Sequence, residues 1–244
     1  MTIDKICIIG TGNFSEGLSK VVSRAGIKSI IRDVTKNLAE ELKDVQLTIE
    51  ALPEDLAQKK ETLRELDRIS PKDVVLASTT AYLSITEIGV ATERPDKVIG
   101  FNFWPYDPEA KLVQITKGIE TSDATYKDCK SFAENIGKTV VTVKDSPGLI
   151  LNRVLASMIN EAAFVLSYGI ASCDDIDNML KLGANFPKGP LEYADYLGLD
   201  NVLNTLELLY RELGPQYRPC PLLKKMVAAK MLGKKTKKGF YQYE

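Results

Sequence analysis

Apolar residues recur along the first 145 residues with two alternating periods. KICIIG (5–10) is a short apolar run that stops at glycine, and a helical period follows from about Ser15 to Ala25. KSIIRD (28–33) reads as a second strand and NLAEELKD (37–44) as a short helix. VQLTIEAL (45–52) is a third strand, with Val45, Leu47, Ile49 and Ala51 alternating with polar neighbours. A longer helix over 54–69 puts Leu56, Leu63 and Leu66 on one face, and DVVLAST (73–79) is the next strand. Residues 98–115, VIGFNFWPYDPEAKLVQI, read as a strand, a stiff aromatic loop and a returning strand, and KTVVTV (138–143) is the last strand. Strand and helix in alternation with short links predict a doubly wound parallel sheet of the Rossmann type.

The pattern changes near residue 145. In KDSPGLILNRVLASMINEAAFVLSYG, Ile150, Val154, Met158, Ala162 and Val165 recur at helical spacing. Ser146 suits the N-cap and Pro147 the first turn. Only helices are expected beyond this point, at about 147–167, 173–181, 200–213 and 219–231. The fold class is therefore α/β with an all-α C-terminal domain. The domains are 1–145, binding a dinucleotide, and 146–244, helical.

Composition narrows the function. The chain has 244 residues, 44% hydrophobic and 27% charged, with a formal net charge of −1. That balance is ordinary for a globular protein and excludes a globally basic nucleic-acid binder. The N-terminal stretch reaches glycine too early for a signal peptide, and no apolar run is long enough for a membrane span, so a cytoplasmic protein is expected. Cys7, Cys129, Cys173 and Cys220 are scattered without C-x-x-C spacing and read as incidental thiols. There is no histidine, and no cluster of cysteines and carboxylates suggests a metal. The acidic run DDID (174–177) reads as a helix start, and the lysines from Lys224 to Lys238 as a solvated surface.

GTGNFSEG (10–17) follows the first strand and opens a helix. Gly10 permits the tight turn, and Gly12 lets the backbone approach a pyrophosphate. Asn13 and Phe14 lead into a helix whose free N–H groups face the phosphates. Asp33, closing the second strand, is placed to bond the adenosine ribose hydroxyls, which favours NAD over NADP, although Arg32 stands beside it. A plain structural turn is the competing reading. Ser15 occupies the third glycine of G-x-G-x-x-G, where overpacking of about 1–3 kcal/mol would weaken NAD binding.

With the helical half included, the chain resembles the 3-hydroxyacyl-CoA dehydrogenase family almost end to end. The stretches that carry the resemblance are ERPDKVIGFNFWP, KDSPGLILNRVL, LKLGANFPKGPLEYADYLGLD and PLLKKMVAAKMLGKKTKKGFYQYE. The resemblance implies NAD as cofactor, an acyl substrate held between domains, and a homodimer formed through the C-terminal domain. Gly10, Gly12 and Asp33 match the family's cofactor loop and ribose acid. Glu54 and Lys59 match positions lining the cofactor side of the cleft. Asn152 matches the active-site asparagine, with a surface polar residue as its competing reading.

The same resemblance implies an altered catalytic centre. The family's catalytic histidine, in an H-F-F-N-P loop, corresponds to Asn102, and the glutamate that orients it to Gln114. The loop asparagine corresponds to Pro105 and the serine of N-T-S-S to Ala81. An amide can hydrogen-bond but cannot titrate. Tyr82, Tyr106, Asp107 and Lys111 lie near enough in sequence to be considered as replacement acids. Between Asp33 and Val45 the family carries a long helical insertion with CoA contacts, and here only about a dozen residues stand. The expectation is an NAD-dependent oxidoreductase acting on a 3-hydroxyacyl-CoA or related 3-hydroxy substrate. A catalytically impaired homologue that binds or interacts without turnover is the alternative, and an oxidoreductase for a substrate lacking CoA is a third.

Overall fold

A computed structural model of the chain describes residues 2–33, 38–104 and 107–244. These residues form two compact units, one running up to Ser146 and one from Pro147 to Glu244.

In the first unit, β1 (Lys5–Ile9) leads into α1 (Asn13–Arg24) and β2 (Lys28–Arg32). β3 (Leu47–Glu50), α2 (Leu56–Ile69), β4 (Val75–Ser78), α3 (Ile85–Gly89) and β5 (Val98–Trp104) follow. β6 (Leu112–Lys117), α4 (Asp123–Asn135) and β7 (Thr139–Lys144) complete it. The described strands make one sheet in the order β2-β1-β3-β4-β5-β6-β7. Every neighbouring pair is parallel except β5 and β6, which are antiparallel.

Period-two alternation splits each strand between two helical layers. Ile6, Ile8, Ile49, Ala77, Phe101 and Phe103 meet Leu18 and Val22 of α1 and Phe132 of α4. Cys7, Ile9, Leu76 and Val98 face Leu63 of α2 and Ile85 and Ile88 of α3. Gly100 lets α3 approach the sheet, since a Cβ there would stand 2.9 Å from the Ile85 side chain and from Thr116.

Several local expectations are corrected. The short helix expected at 37–44 is absent: Asn37 lies outside the described residues, and 39–44 form turns. One turn suffices to bury Leu38, Leu42 and Val45 against the sheet, so the link has no reason to continue as a helix. Helices α3 and α4 are additions. Ser122 caps α4 by accepting from the Thr125 backbone N–H, and Thr125, Cys129, Phe132 and Ala133 form its buried stripe.

The second unit is helical: α5 (Leu151–Ser167), α6 (Cys173–Asn178), α7 (Pro190–Leu197), α8 (Leu199–Leu213) and α9 (Pro221–Ala228). A π-helical turn, Met179–Gly183, extends α6. α7 lies in a stretch where the pattern predicts no separate helix. α5 starts later than the Ser146–Pro147 cap predicts. Gly148 and Leu149 both have positive φ, at 72° and 52°, and such backbone cannot belong to a right-handed helix.

Two buried aspartates organise this unit. Asp177 caps α7 by accepting the N–H groups of Leu191 (2.9 Å) and Glu192 (2.8 Å), and it accepts the Tyr241 hydroxyl at 2.9 Å. Asp195 accepts the N–H groups of Phe240 (3.0 Å) and Tyr241 (2.9 Å) and the Tyr243 hydroxyl (3.0 Å). The segment GFYQY is thereby bound to α6 and α7. Gly239 is required sterically, because a Cβ there would lie 1.9 Å from an Asp195 carboxylate oxygen.

Gly239→Ala is expected to lower unfolding stability by about 3 kcal/mol, the range of buried steric conflict. Tyr243→Phe, which removes one hydroxyl donated to a carboxylate, should cost about 1.5 kcal/mol. Urea titration followed by far-UV circular dichroism measures both.

Candidate functional site

The candidate site lies at the carboxyl end of the first unit's sheet, where doubly wound folds bind ligands. It begins at the glycine turn. Gly10 (φ 120°) is closed in: its Cβ would stand 2.9 Å from the Ala51 carbonyl oxygen. Gly12 (φ 130°) is open, with nothing within 4 Å of where a Cβ would lie. Thr11, Gly12 and Asn13 are exposed, and no side chain caps the first turn of α1. This arrangement fits a dinucleotide pyrophosphate: an uncovered backbone approach ending on free helix N–H groups. Ser15 is buried and α1 runs unbroken through it.

Phe14 is half-buried and packs edge-on to Phe103 of β5, with ring centroids 5.6 Å apart. It braces the aromatic strand from below the turn. Farther along α1, Gly17 approaches Pro108, and Arg24 holds Glu109 through two hydrogen bonds of 2.9 and 2.7 Å. The helix that starts at the glycine turn therefore also supports the segment after β5. Asp33 is exposed just past β2. The neighbouring Arg32 is engaged twice by Glu41, at 3.0 and 2.5 Å.

The next layer is a buried ion pair. Glu50, the last residue of β3, and Lys59 of α2 are both fully buried. The Lys59 ammonium donates to both Glu50 oxygens (2.9 and 3.1 Å) and to the Leu52 carbonyl (2.9 Å). Glu50 also accepts the Ser78 hydroxyl (2.7 Å) and the Leu52 N–H (2.5 Å). Lys59 is thus occupied by protein atoms and acts on the site by fixing the turn after β3. Sequence reasoning does not single out Glu50 or Ser78. The one signal available is a charged residue ending an apolar strand nine positions before a lysine on the helix that follows.

Glu54 sits in that turn, half-buried. Its carboxylate accepts the Thr80 hydroxyl (2.8 Å) and the Ala81 N–H. Burial pushes its pKa above the ordinary carboxylate range; Glu50 adds to the rise, and Lys59 and the two hydrogen bonds oppose it.

Asn102 and Gln114 stand directly opposite each other on β5 and β6. Both are buried, at 4% and 8% exposure, and among the described residues the Asn102 carbonyl oxygen has no hydrogen-bond partner. The strand register places the positions corresponding to the family's histidine and its orienting glutamate on one cross-strand rung, and here that rung holds two neutral amides. Of the considered replacement acids, Lys111 and Asp107 are exposed, and Tyr106, like Pro105, lies outside the described residues. The Tyr82 phenol is half-buried, and burial pushes its pKa above the usual tyrosine value. Lys138 anchors the returning segment by donating to the carbonyls of Pro108 and Ala110.

In the second unit, Asn152 occupies the first turn of α5, half-buried, three residues after the left-handed Leu149. Among the described residues no cluster of cysteines and carboxylates could hold a metal, and no helix is long and apolar enough to cross a membrane.

Comparison with known proteins matches two family models. Residues 35–146 match the 3-hydroxyacyl-CoA dehydrogenase NAD binding domain, and residues 148–243 match the 3-hydroxyacyl-CoA dehydrogenase C-terminal domain. A probable 3-hydroxybutyryl-CoA dehydrogenase of Bacillus subtilis is 46% identical over 220 residues, covering 89% of this chain and 77% of the relative. The 3-hydroxybutyryl-CoA dehydrogenase of Clostridioides difficile is 43% identical over 246 residues, covering 99% and 87%. The crystal structure of (S)-3-hydroxybutyryl-CoA dehydrogenase from Ralstonia eutropha superposes with a TM-score of 0.96 at 34% identity, covering the whole of both chains.

Two expectations follow from the geometry. Lys59→Met leaves Glu50 buried and unpaired and should cost about 3–5 kcal/mol in thermal or urea unfolding, whereas pairing it with Glu50→Gln should recover most of that loss. Gly10→Ala should cost more stability than Gly12→Ala, since only the former meets a backbone atom. Gly12→Ala should instead weaken NADH binding about tenfold or more, read by NADH fluorescence, by crowding the phosphate approach.

Proposed function

This chain belongs to the 3-hydroxyacyl-CoA dehydrogenase family, and on that premise we propose that it catalyses the NAD-dependent interconversion of a 3-hydroxyacyl thioester and its 3-oxo counterpart at an altered proton-transfer centre. The observation that carries the reading is the open glycine turn joined through α1 and Phe14 to the strand bearing Asn102. In this proposal Gly10, Gly12 and Asn13 receive the pyrophosphate and Asp33 the adenosine ribose. Arg32, already bound to Glu41, is not available for a 2′-phosphate, which supports NAD.

NAD, when bound, supplies the hydride acceptor or donor. The remaining work falls to the chain. Asn102 offers its unpartnered carbonyl oxygen to the substrate hydroxyl, or its N–H₂ to a keto oxygen, and Gln114 fixes the amide's orientation across the rung. Glu54 and the turn held by Lys59 line the cofactor side, and Phe14 keeps β5 in place. Asn152 adds a polar contact from the helical domain.

The domain roles belong to the same proposal: 1–145 binds the cofactor, and 146–244 contributes substrate contacts and a homodimer interface. Exposed Val154, Tyr168, Ile170, Met179 and Leu182 supply apolar surface in the second unit for a partner copy to cover. The cytoplasm is the proposed location.

Acetoacetyl-CoA with NADH should give slow loss of the NADH absorbance, absent in Gly12→Asp. Turnover equal to that control would overturn the proposal. Asn102→His combined with Gln114→Glu should raise kcat by about 10²–10⁴-fold, the usual contribution of a positioned acid–base group.

A further inference from the structure

Asn102 and Gln114 cannot exchange a proton with a substrate oxygen, so turnover requires another group at the carboxyl end of the sheet. Four observations converge on one side chain. First, Glu54 is half-buried there and, among the described residues, has no ion-pair partner. Glu50, the other carboxylate of that edge, is locked to Lys59 and Ser78. Second, the Glu54 carboxylate is fixed by the Thr80 hydroxyl and the Ala81 N–H, one bond to each oxygen. Each oxygen keeps lone-pair capacity for a further partner. Third, β4 and β5 are parallel with Ser78 opposite Gly100. Thr80 and Asn102 each lie two residues beyond that rung on the same face. Glu54, through Thr80, is therefore brought to the strand neighbouring Asn102, at a lateral spacing of about 4.8 Å between strands. Fourth, Ala81 stands where the family has its serine, so no side-chain hydroxyl occupies that position.

We propose that Glu54 is the group that exchanges the proton with the substrate oxygen in this chain, with Asn102 holding that oxygen by hydrogen bond. This inference rests on the oxidoreductase reading above and deepens it. In the direction of oxidation, the substrate O–H bond breaks and its proton passes to a Glu54 carboxylate oxygen. The C3–H bond breaks with its electron pair, which leaves with the hydrogen to NAD⁺, and the C3–O single bond becomes a carbonyl. Reduction runs the same path backwards from protonated Glu54.

The surroundings suit a carboxyl that must change protonation near neutral pH. Burial leads in favouring the neutral acid and Glu50 adds to it. Lys59, the Ala81 N–H and the Thr80 hydroxyl favour the carboxylate, and the net displacement is upward. The remaining titratable neighbour, the Tyr82 phenol, is itself pushed up by burial and by Glu54 and stays neutral. The sign follows: oxidation needs the carboxylate and should rise with pH through the Glu54 pKa, while reduction needs the acid and should fall across the same range.

The test uses the whole chain with three variants. Glu54→Gln should lose about 10²–10⁴-fold in kcat/KM with acetoacetyl-CoA while keeping its NADH affinity, the signature of lost proton transfer rather than lost binding. Glu54→Asp should keep a titrating limb at reduced rate. Adding Asn102→His and Gln114→Glu to Glu54→Gln should restore turnover. Independently of activity, an infrared pH titration of the cofactor-free protein should show a protonated carboxyl band persisting above the ordinary glutamate range. Glu54→Gln should lack that band. Circular dichroism establishes that each variant is folded. Retention of wild-type kcat/KM and pH profile in Glu54→Gln would overturn the role of Glu54 alone. So would the absence of an upshifted carboxyl band. A natural chain that is inactive, and gains turnover only when Asn102→His and Gln114→Glu are combined, would overturn Glu54 and leave the cofactor reading standing. Failure of the natural chain to bind NADH would overturn both.

Discussion

The ion pair between Glu50 and Lys59 is the contact on which the carboxyl edge of the sheet depends. Both side chains are removed from water, a state that costs several kcal/mol per ion unless every polar valence is matched. Here they are matched: Lys59 has three acceptor contacts, and Glu50 has Lys59, Ser78 and the Leu52 N–H. The gain is one of geometry more than of net stability. The pair joins the end of β3, the end of β4 and the first turns of α2. It fixes the carbonyl of Leu52 and so the Pro53–Glu54 turn. Ala51, inside that segment, is hydrogen-bonded to Ile9 and supplies the carbonyl against which Gly10 packs. The glycine turn and Glu54 are therefore placed by the same buried charges.

α1 carries that placement to the other side of the site. It begins at Gly12, packs Phe14 on Phe103, and supports the segment after β5 through Gly17 and Arg24. Lys138 fixes the same segment from the start of β7, with its pKa lowered chiefly by burial. A substitution at Asn102 thus changes the chemistry of a position whose backbone is held by several independent contacts, and the rung with Gln114 keeps its register.

The Rossmann alternation and the switch to helices are legible in the sequence because long apolar periods dominate both halves. The glycine turn is legible from Gly10, Gly12 and Asp33 in their places relative to two strands. Ser146 and Pro147 mislead about the start of α5: both are good capping residues, and the left-handed backbone of Leu149 leaves no mark in residue type. α4 escapes the reading although Ser122 and the 125/129/132/133 stripe carry a capped amphipathic pattern. The helix expected at 37–44 fails for the opposite reason: its apolar spacing is helical, but burying Leu38 and Leu42 needs only one turn. The Glu50–Lys59 network is not legible at all, since it is made by two residues whose charges ordinarily signal surface. The motif LEYADYLGLD can be quoted as a signature, yet only the structure gives its reason, which is that Asp195 binds the backbone of Phe240 and Tyr241.

The paired change at positions 102 and 114 has an electrostatic consequence for Glu54. A histidine with its glutamate would put a titrating cation–anion pair on the rung beside Thr80. Two neutral amides remove both charges from that neighbourhood, leaving Lys59 and Glu50 as the charged groups that act on Glu54. Those two oppose each other, and they are already tied together, so their joint field at Glu54 is small compared with burial. Burial then governs the carboxyl and favours its neutral form. The substitution that removes the family's acid–base group is thus the same substitution that leaves a neighbouring carboxyl free to respond to its dry surroundings. The loss at Asn102 and the opportunity at Glu54 are two effects of one change in charge.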